Sequence, residues 1–226
     1  MGEGGAAGPA DAQIQEQPQR VGDTSHLDGV RATQYGALER LRELVDCGQA
    51  TVDDTDADDC SLMHWAAINN RKNIVEYLFS KGAKVNVVGG VLKSTPLHWA
   101  ARQGHLRMVA LLVNNGADQS ICDVEGFAPL HVAVQFAHTP IVAYLIAKGQ
   151  SVDCPDESGM TPAMWAAYKI YTTDPLKLLM TLGADLTLVD RTNGNTALHW
   201  ATIQGNHTAV SILLKHGVSV EPVNNE

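Results

Sequence analysis

The sequence has few aromatic residues and fewer basic residues than acidic ones. Its 226 residues include 4 Trp, 5 Tyr and 3 Phe, and 16 Lys and Arg stand against 25 Asp and Glu, a formal net charge of −9. A protein that binds nucleic acid needs a clustered basic face. The acidic balance therefore argues against nucleic acid as a partner, and equally against an anionic membrane surface.

Cysteines and long apolar runs are also scarce. The four cysteines are too few for a disulfide framework, none forms the C-x-x-C pair of a zinc ribbon, and a reduced, cytosolic location fits them best. No apolar run reaches the roughly 18 residues typical of a membrane span. The glycine-rich motifs that bind nucleotide phosphates are missing as well. We therefore expect no cofactor, no metal, no catalytic residue and no direct insertion of this chain into a membrane.

The sequence does contain an internal repeat. A seven-residue block, Thr-Pro-Leu-His-Trp-Ala-Ala at residues 95–101, recurs with variations at 61–67, 128–134, 161–167 and 196–202. The His-equivalent positions 64, 98, 131, 164 and 199 are therefore 33 to 35 residues apart. That period and the T-P-L-H-x-A pattern are the ankyrin signature. The sequence predicts an all-α, ankyrin-repeat solenoid of about six helix-turn-helix units, the first a divergent cap.

The repeat also divides the chain. Residues 1–24 are rich in Gly, Pro and Gln, which predicts a disordered tail before a repeat domain at 25–226. A glycine is expected to end the second helix of each of the five clear units, at Gly82, Gly116, Gly149, Gly183 and Gly217. The last helix pair shows no polar capping face, so we expect a monomeric piece of a longer solenoid. The predicted units are approximately 25–56, 57–90, 91–123, 124–156, 157–191 and 192–226.

Histidines and an acidic run could suggest metal sites, but their spacing does not. One His per unit (His64, His98, His131 and His199) lies on helices about 8–10 Å apart, whereas zinc ligands converge about 2.0–2.1 Å from one ion. We expect each to bond to the backbone of the adjacent unit. The aspartates of residues 53–59 lack the Gly and Glu of a calcium-binding EF-hand loop, which favours a solvated finger.

The four tryptophans share one register, directly after the His position. Four residues later, on the same helical face, three units carry a side-chain amide. An indole can stack on a proline ring, and an amide can bond to an extended peptide backbone. A tryptophan that only fills space beside the next unit is the alternative. The predicted peptide-binding residues are Trp65, Trp99, Trp165 and Trp200 with Asn69, Gln103 and Gln204.

Several segments resemble one family beyond the general ankyrin consensus. They include residues 31–36, 64–71, 94–105, 141–150 and 159–168, and together they extend over about 28–220. The sequence resembles the ankyrin-repeat domain of the huntingtin-interacting type of DHHC palmitoyltransferases. The resemblance implies a module at the cytosolic face of Golgi and vesicle membranes that recruits proteins carrying short proline-containing motifs. It also implies that the key contacts are Asn69 and Trp99.

The resemblance does not extend to the catalytic motif of the family. In the family, a cysteine of an Asp-His-His-Cys motif transfers the palmitoyl group, and this sequence lacks that motif. The leading hypothesis is therefore an adaptor that binds peptides and recruits substrates for palmitoylation. A general ankyrin scaffold, or a short non-catalytic form that binds a folded partner, is the alternative. A self-contained enzyme is a third hypothesis, and we expect no turnover in an acyl-exchange assay of the purified chain.

Overall fold

The computed structural model of the chain describes residues 24–169, 174–220 and 224–225. Within these ranges it contains twelve helices and no β-strand, and two consecutive helices form each of six units, so the predicted ankyrin solenoid is confirmed. The predicted tail lies outside the described residues except for Thr24. The helices are α1 (Gly29–Tyr35), α2 (Leu38–Asp46), α3 (Leu62–Ile68), α4 (Lys72–Ser80), α5 (Pro96–Arg102), α6 (Leu106–Asn114), α7 (Pro129–Gln135), α8 (Thr139–Ala147), α9 (Pro162–Tyr168), α10 (Asp174–Thr181), α11 (Ala197–Ile203) and α12 (His207–Lys215).

The first helix of each unit packs on the first helix of the next, which builds one continuous core. In α5 the predicted stripe of Leu97, Ala100 and Ala101 is almost fully buried. The two alanines allow α3 and α7 to approach α5 closely from either side. All five glycines predicted to end the second helices have a positive φ and lie just beyond those helices, where a residue without a side chain is favoured.

Histidines fix the start of the first helix in units two, three, four and six, where Nδ1 accepts a backbone N–H group. The backbone N–H of Thr95 donates to Nδ1 of His98 at 3.1 Å, so Nε2 carries the proton and donates to the carbonyl oxygen of Phe127 in the next unit at 2.8 Å. His64 makes the same bond to the carbonyl of Ser94 at 2.9 Å, and the predicted inter-unit bond is confirmed for both residues. The predicted bond is not found for His131, whose buried Nε2 forms no hydrogen bond to any described residue.

A close approach between units three and four depends on a glycine. Gly104 joins α5 to α6 with φ of +79°, and a side-chain carbon added there would lie 2.7 Å from the imidazole of His138. That imidazole contacts the carbonyl oxygen of Arg102 through Nε2 at 3.0 Å, across the same interface. A larger residue at position 104 would therefore strain the backbone and displace an inter-unit hydrogen bond.

A finger, the loop that leads into each first helix, completes each unit. The fingers of units three and four are residues 84–94 and 117–127, and the finger of unit three is closed by an antiparallel bridge between Gly89 and Ser94. In unit four, Oδ1 of Asp123 accepts the backbone N–H groups of Glu125 and Phe127. Fingers and first helices together form the face on which the predicted site lies.

Candidate functional site

Each tryptophan of the repeat is held by its own finger through the indole N–H. In three units the acceptor is an aspartate, which uses Oδ1 to organise the turn of the finger and Oδ2 to accept the indole proton. The indole thus keeps one orientation, with its Nε1 satisfied. The three pairs are Trp65 with Asp56 at 2.8 Å, Trp165 with Asp156 at 2.8 Å and Trp200 with Asp190 at 2.9 Å.

Units three and four depart from this pairing in opposite ways. Unit three has the tryptophan without the aspartate, and Nε1 of Trp99 donates instead to the Ser94 hydroxyl at 2.8 Å. Unit four has the aspartate without the tryptophan, because Val132 stands in the tryptophan register. Asp123 organises its finger as the others do, but Val132 has no proton to donate to its second carboxylate oxygen.

The aromatic side chains form two separate clusters rather than one ladder. In the first, the rings of Trp65 and Trp99 meet edge to face with centroids 5.5 Å apart. In the second, Phe127, Trp165, Tyr168 and Trp200 form a chain of edge-to-face contacts at 5.3 to 5.7 Å. Val132 lies between the two clusters in sequence register, so the row of tryptophans is interrupted at unit four.

A pocket of about 570 Å³ opens at this interruption. The finger and first helix of unit three form one wall, and those of unit four form the other. Its lining contains both apolar rings and side-chain amides, which suits an extended peptide with one apolar anchor. The lining includes Val91, Leu92, Trp99, Gln103, Asp123, Glu125, Phe127, Gln135 and Phe136.

The structure distributes the seven predicted site residues unevenly around this pocket. Trp99 and Gln103 line it, and Trp65 contacts Trp99 from behind. Asn69 is exposed and is not among the residues that line the pocket, although the preceding Ile68 is, and its Nδ2 donates to the carbonyl oxygen of Trp65 at 2.9 Å. The remaining three, Trp165, Trp200 and Gln204, belong to units five and six and are not part of the pocket wall.

Sequence reasoning missed the wall contributed by unit four. Phe127, Gln135 and Phe136 line the pocket. Phe136 stands at the amide position of unit four but carries no amide, and the other two lie outside the tryptophan and amide registers. A signal was present in the spacing, since Asp56 precedes Trp65 by nine residues and Asp123 precedes Val132 by the same interval. An aspartate at that position without its tryptophan marks the place where the pocket opens.

The pocket has an acidic rim with one fixed positive charge. The guanidinium of Arg102 lies over the ring of Phe136, 5.0 Å from its centroid. None of the salt bridges among the described residues involves Arg102, Asp123 or Glu125. Burial lowers the pKa of His98, the histidine in the pocket wall, so this imidazole is neutral near pH 7 and does not balance the two carboxylates.

Two of the four thiols, Cys60 and Cys154, are poorly suited to covalent chemistry. Burial, assisted by the neighbouring Asp56 carboxylate, raises the pKa of Cys60 to about 11. Burial likewise raises the pKa of Cys154 to about 12. A nucleophilic thiol needs the opposite shift, because the thiolate is the reactive form. In the described part of the chain, no three His, Cys, Asp or Glu side chains converge as metal ligands, and no helix has the length and apolar character needed to cross a membrane.

Comparison with known proteins agrees with this architecture. A family model described as ankyrin repeats (3 copies) matches residues 89–156 and 140–224, and one described as ankyrin repeats (many copies) matches residues 63–113. The chain is 58% identical to the palmitoyltransferase ZDHHC17 of Homo sapiens over 204 residues, which cover 90% of this chain and 32% of that protein.

Two further relatives give the same result. The palmitoyltransferase Hip14 of Drosophila melanogaster is 59% identical over 203 residues, covering 89% of this chain and 32% of that protein. The palmitoyltransferase ZDHHC13 of Homo sapiens is 50% identical over 201 residues, again covering 89% and 32%. The chain thus spans about a third of the length of these relatives, and the resemblance to the ankyrin-repeat palmitoyltransferases is confirmed. On its fold, its period and these matches, the chain belongs to the ankyrin-repeat family and is a protein-interaction module similar to the ankyrin repeats of palmitoyltransferases.

Proposed function

We propose that the chain binds short proline-containing linear motifs and recruits the proteins that carry them for S-palmitoylation. The observation that carries the proposal is the pocket of about 570 Å³ with the half-buried indole of Trp99 in its wall. The Ser94 hydroxyl fixes the indole plane, so the ring is already oriented before a ligand arrives. A fixed aromatic surface binds a proline ring at a small entropic cost.

Side-chain amides around Trp99 supply the polar half of the groove. Gln103 and Gln135 line the pocket on either side, where each can donate to and accept from an extended backbone. Asn69 directly follows the pocket residue Ile68 in sequence, and since its Nδ2 donates to the Trp65 carbonyl, its own oxygen is the atom that would accept from a peptide. Trp165, Trp200 and Gln204 would be contacted only by a peptide that continues into units five and six.

The parent function is part of the same proposal. The relatives are named as palmitoyltransferases, and the region they share with this chain is its ankyrin repeats. We infer that the repeats hold a substrate while a catalytic region elsewhere in such an enzyme transfers the acyl group. The work of this module would then take place at the cytosolic face of Golgi and vesicle membranes.

Fluorescence polarisation with labelled peptides tests the binding step. Peptides with one central proline should bind with roughly micromolar affinity, about −8 kcal/mol, and the same peptides with alanine in place of proline should bind more weakly. Trp99→Ala should reduce affinity by at least about tenfold, as is usual for a buried aromatic anchor. Equal affinity for the proline and alanine peptides would contradict the proposal.

Two matched controls separate binding from folding. Tyr144→Ala removes a half-buried ring from the second helix of unit four, outside the pocket, and should leave affinity unchanged. Asn69→Ala should weaken binding, whereas Asn115→Ala should not, although Asn115 makes the same side-chain bond to the carbonyl oxygen four residues earlier. A loss of affinity in the control variants equal to that in the pocket variants would point to a folding defect.

A general scaffold that docks a folded partner is the second candidate. The tips of the fingers favour it, because Val88 is 43% exposed, Val91 86% and Val124 53%. These apolar tips lie at the rim and would contact a broad surface rather than a single motif. If Val124→Ser abolished capture of an intact substrate protein while proline peptides bound normally, the rim would be the main contact.

A further inference from the structure

The unpaired aspartate of unit four points to a second element of recognition in the proposed groove. In units two, five and six the equivalent carboxylate has both oxygens in use, Oδ1 in the turn and Oδ2 on an indole N–H. In Asp123 the backbone N–H groups of Glu125 and Phe127 donate to Oδ1 at 3.0 and 2.9 Å. Among the described residues, the hydrogen bonds to this carboxylate end on Oδ1, and none ends on Oδ2.

The fold keeps Asp123 in place although its usual partner is missing. The two backbone bonds hold the carboxylate against the finger, as they do in the other units. The space that an indole would occupy is left to Val132, whose smaller side chain helps to line the pocket. A half-buried carboxylate thus faces a ligand cavity with one oxygen unused, and leaving such an oxygen without a donor costs free energy when the cavity closes on a ligand.

The surroundings of Asp123 select a cation rather than a neutral donor. Glu125 adds a second carboxylate to the same wall, and neither forms an ion pair with any described basic residue within 4.0 Å. Trp99 and Phe127 provide aromatic rings beside them. The stack of Arg102 on Phe136 shows that a ring of this pocket already accommodates a guanidinium. Carboxylate and ring together match the planar, forked guanidinium better than a point charge.

We propose that Asp123, supported by Glu125, binds an arginine side chain of the same peptide whose proline packs on Trp99. The inference rests on the proposed function and extends it, since it names a basic residue near the proline as a determinant of specificity. Units three and four then recognise two features of one peptide motif. The proline ring packs on the wall of unit three, and the arginine cation binds to the wall of unit four. Selectivity for the arginine arises because a peptide without it leaves the Asp123 oxygen desolvated and unpaired.

A positional scan tests this inference on the whole chain. The probes are fluorescein-labelled peptides of about twelve residues with one central proline in an alanine and serine background, and a single arginine placed at each other position in turn. A second set carries citrulline, which has the shape of arginine without its charge. One or two adjacent positions should bind about five- to tenfold more tightly with arginine than with citrulline.

Asp123→Asn should abolish that gain, while the citrulline peptides keep their affinity within about twofold. Asparagine retains an oxygen that can accept the N–H groups of Glu125 and Phe127, so the finger can keep its shape. Asp185→Asn is the matched control, because Asp185 accepts the N–H of the residue two positions later in the same way but does not line the pocket. The arginine gain should persist in that variant, which carries the same change in net charge.

The outcomes separate the inference from the proposed function. If proline peptides bind through Trp99 but arginine gives no position-dependent gain, the cation site is wrong and the proline groove stands. A gain that survives Asp123→Asn also overturns it. Should no peptide of either set bind the folded protein, both the groove and its cation site are refuted.

Discussion

Units three and four differ from units five and six in the residues that occupy the paired aspartate and tryptophan positions. In units five and six the indoles of Trp165 and Trp200 are fixed by Asp156 and Asp190, and Tyr168 lies between them. In units three and four the aspartate and the tryptophan are uncoupled, and a pocket replaces the continuous row of rings. The same repeat position thus closes an interface in units five and six and leaves a pocket open between units three and four.

The largest expected effect is the loss of unfolding free energy when Trp165, in the second aromatic cluster, is replaced. Trp165→Ala removes ring contacts with Phe127 and Tyr168 and leaves Asp156 without its indole donor, which should cost about 3 kcal/mol of unfolding free energy. Because Trp165 lies outside the pocket, affinity for a short proline peptide should remain within about twofold. Urea denaturation and polarisation titrations measure the two quantities. A loss of affinity as large as that of Trp99→Ala would mean that Trp165 itself belongs to the groove.

Two glycines at equivalent positions, one in unit three and one in unit six, allow the cost of adding a side chain to be compared between these units. Gly104 and Gly205 both join a first helix to a second with positive φ, but only Gly104 has a neighbour, the imidazole of His138, in the place of a side chain. Gly104→Ala should therefore cost about 2 kcal/mol and Gly205→Ala about 1 kcal/mol, the latter from backbone strain alone. Equal destabilisation in thermal or urea unfolding would show that the His138 contact relaxes freely.

The aspartates of units five and four provide a paired test in which a smaller change in unfolding free energy is expected. Asp156→Asn places a neutral amide opposite the indole N–H of Trp165 and should destabilise the fold by about 1–2 kcal/mol. Asp123→Asn has no indole to lose, so its unfolding free energy should change by less than about 0.5 kcal/mol. Urea unfolding of both variants measures the difference. If Asp123→Asn proved as destabilising as Asp156→Asn, Oδ2 of Asp123 would have a structural partner.

The smallest expected effect is a difference in pH dependence between units four and five. Burial lowers the pKa of His131 below its ordinary value of 6.5, whereas Met164 occupies that position in unit five. Because the unfolded chain takes up a proton that the folded chain excludes, this group contributes stability above about pH 6.5 that is lost as the pH falls through that value.

His131→Met copies unit five, where the Met164 sulfur accepts the N–H of Thr161 at 3.5 Å. The variant should reduce proton uptake on unfolding by up to about one proton between pH 7.5 and 5.5, as read from urea midpoints at both pH values. Buried His64 and His98 remain as the internal comparison, since burial also lowers their pKa. An unchanged pH slope would mean that His131 does not titrate with unfolding.

Much of the fold follows from the sequence because the repeat is encoded locally. Short local signals start the first helices, as the capping Thr95, Pro96 and His98 do in unit three. The period alone places the next unit close enough for His98 to reach the Phe127 carbonyl. The candidate site is less predictable. Phe127 lies outside the tryptophan and amide registers, and Phe136 stands at the amide position of unit four without an amide. Neither pattern therefore predicts the wall that they form where units three and four are neighbours in space.

The sequence by itself determined the number of units, the glycine at the end of each second helix and the common register of the four tryptophans. Each of these depends on contacts within one unit or on an interval repeated along the chain. Only the tertiary structure decided which oxygen holds each indole, where the aromatic rings separate into two clusters and that Asp123 is left with an unused oxygen. Those features depend on side chains from adjacent units meeting across an interface, and a difference of one residue, Val132 in place of tryptophan, changes the outcome.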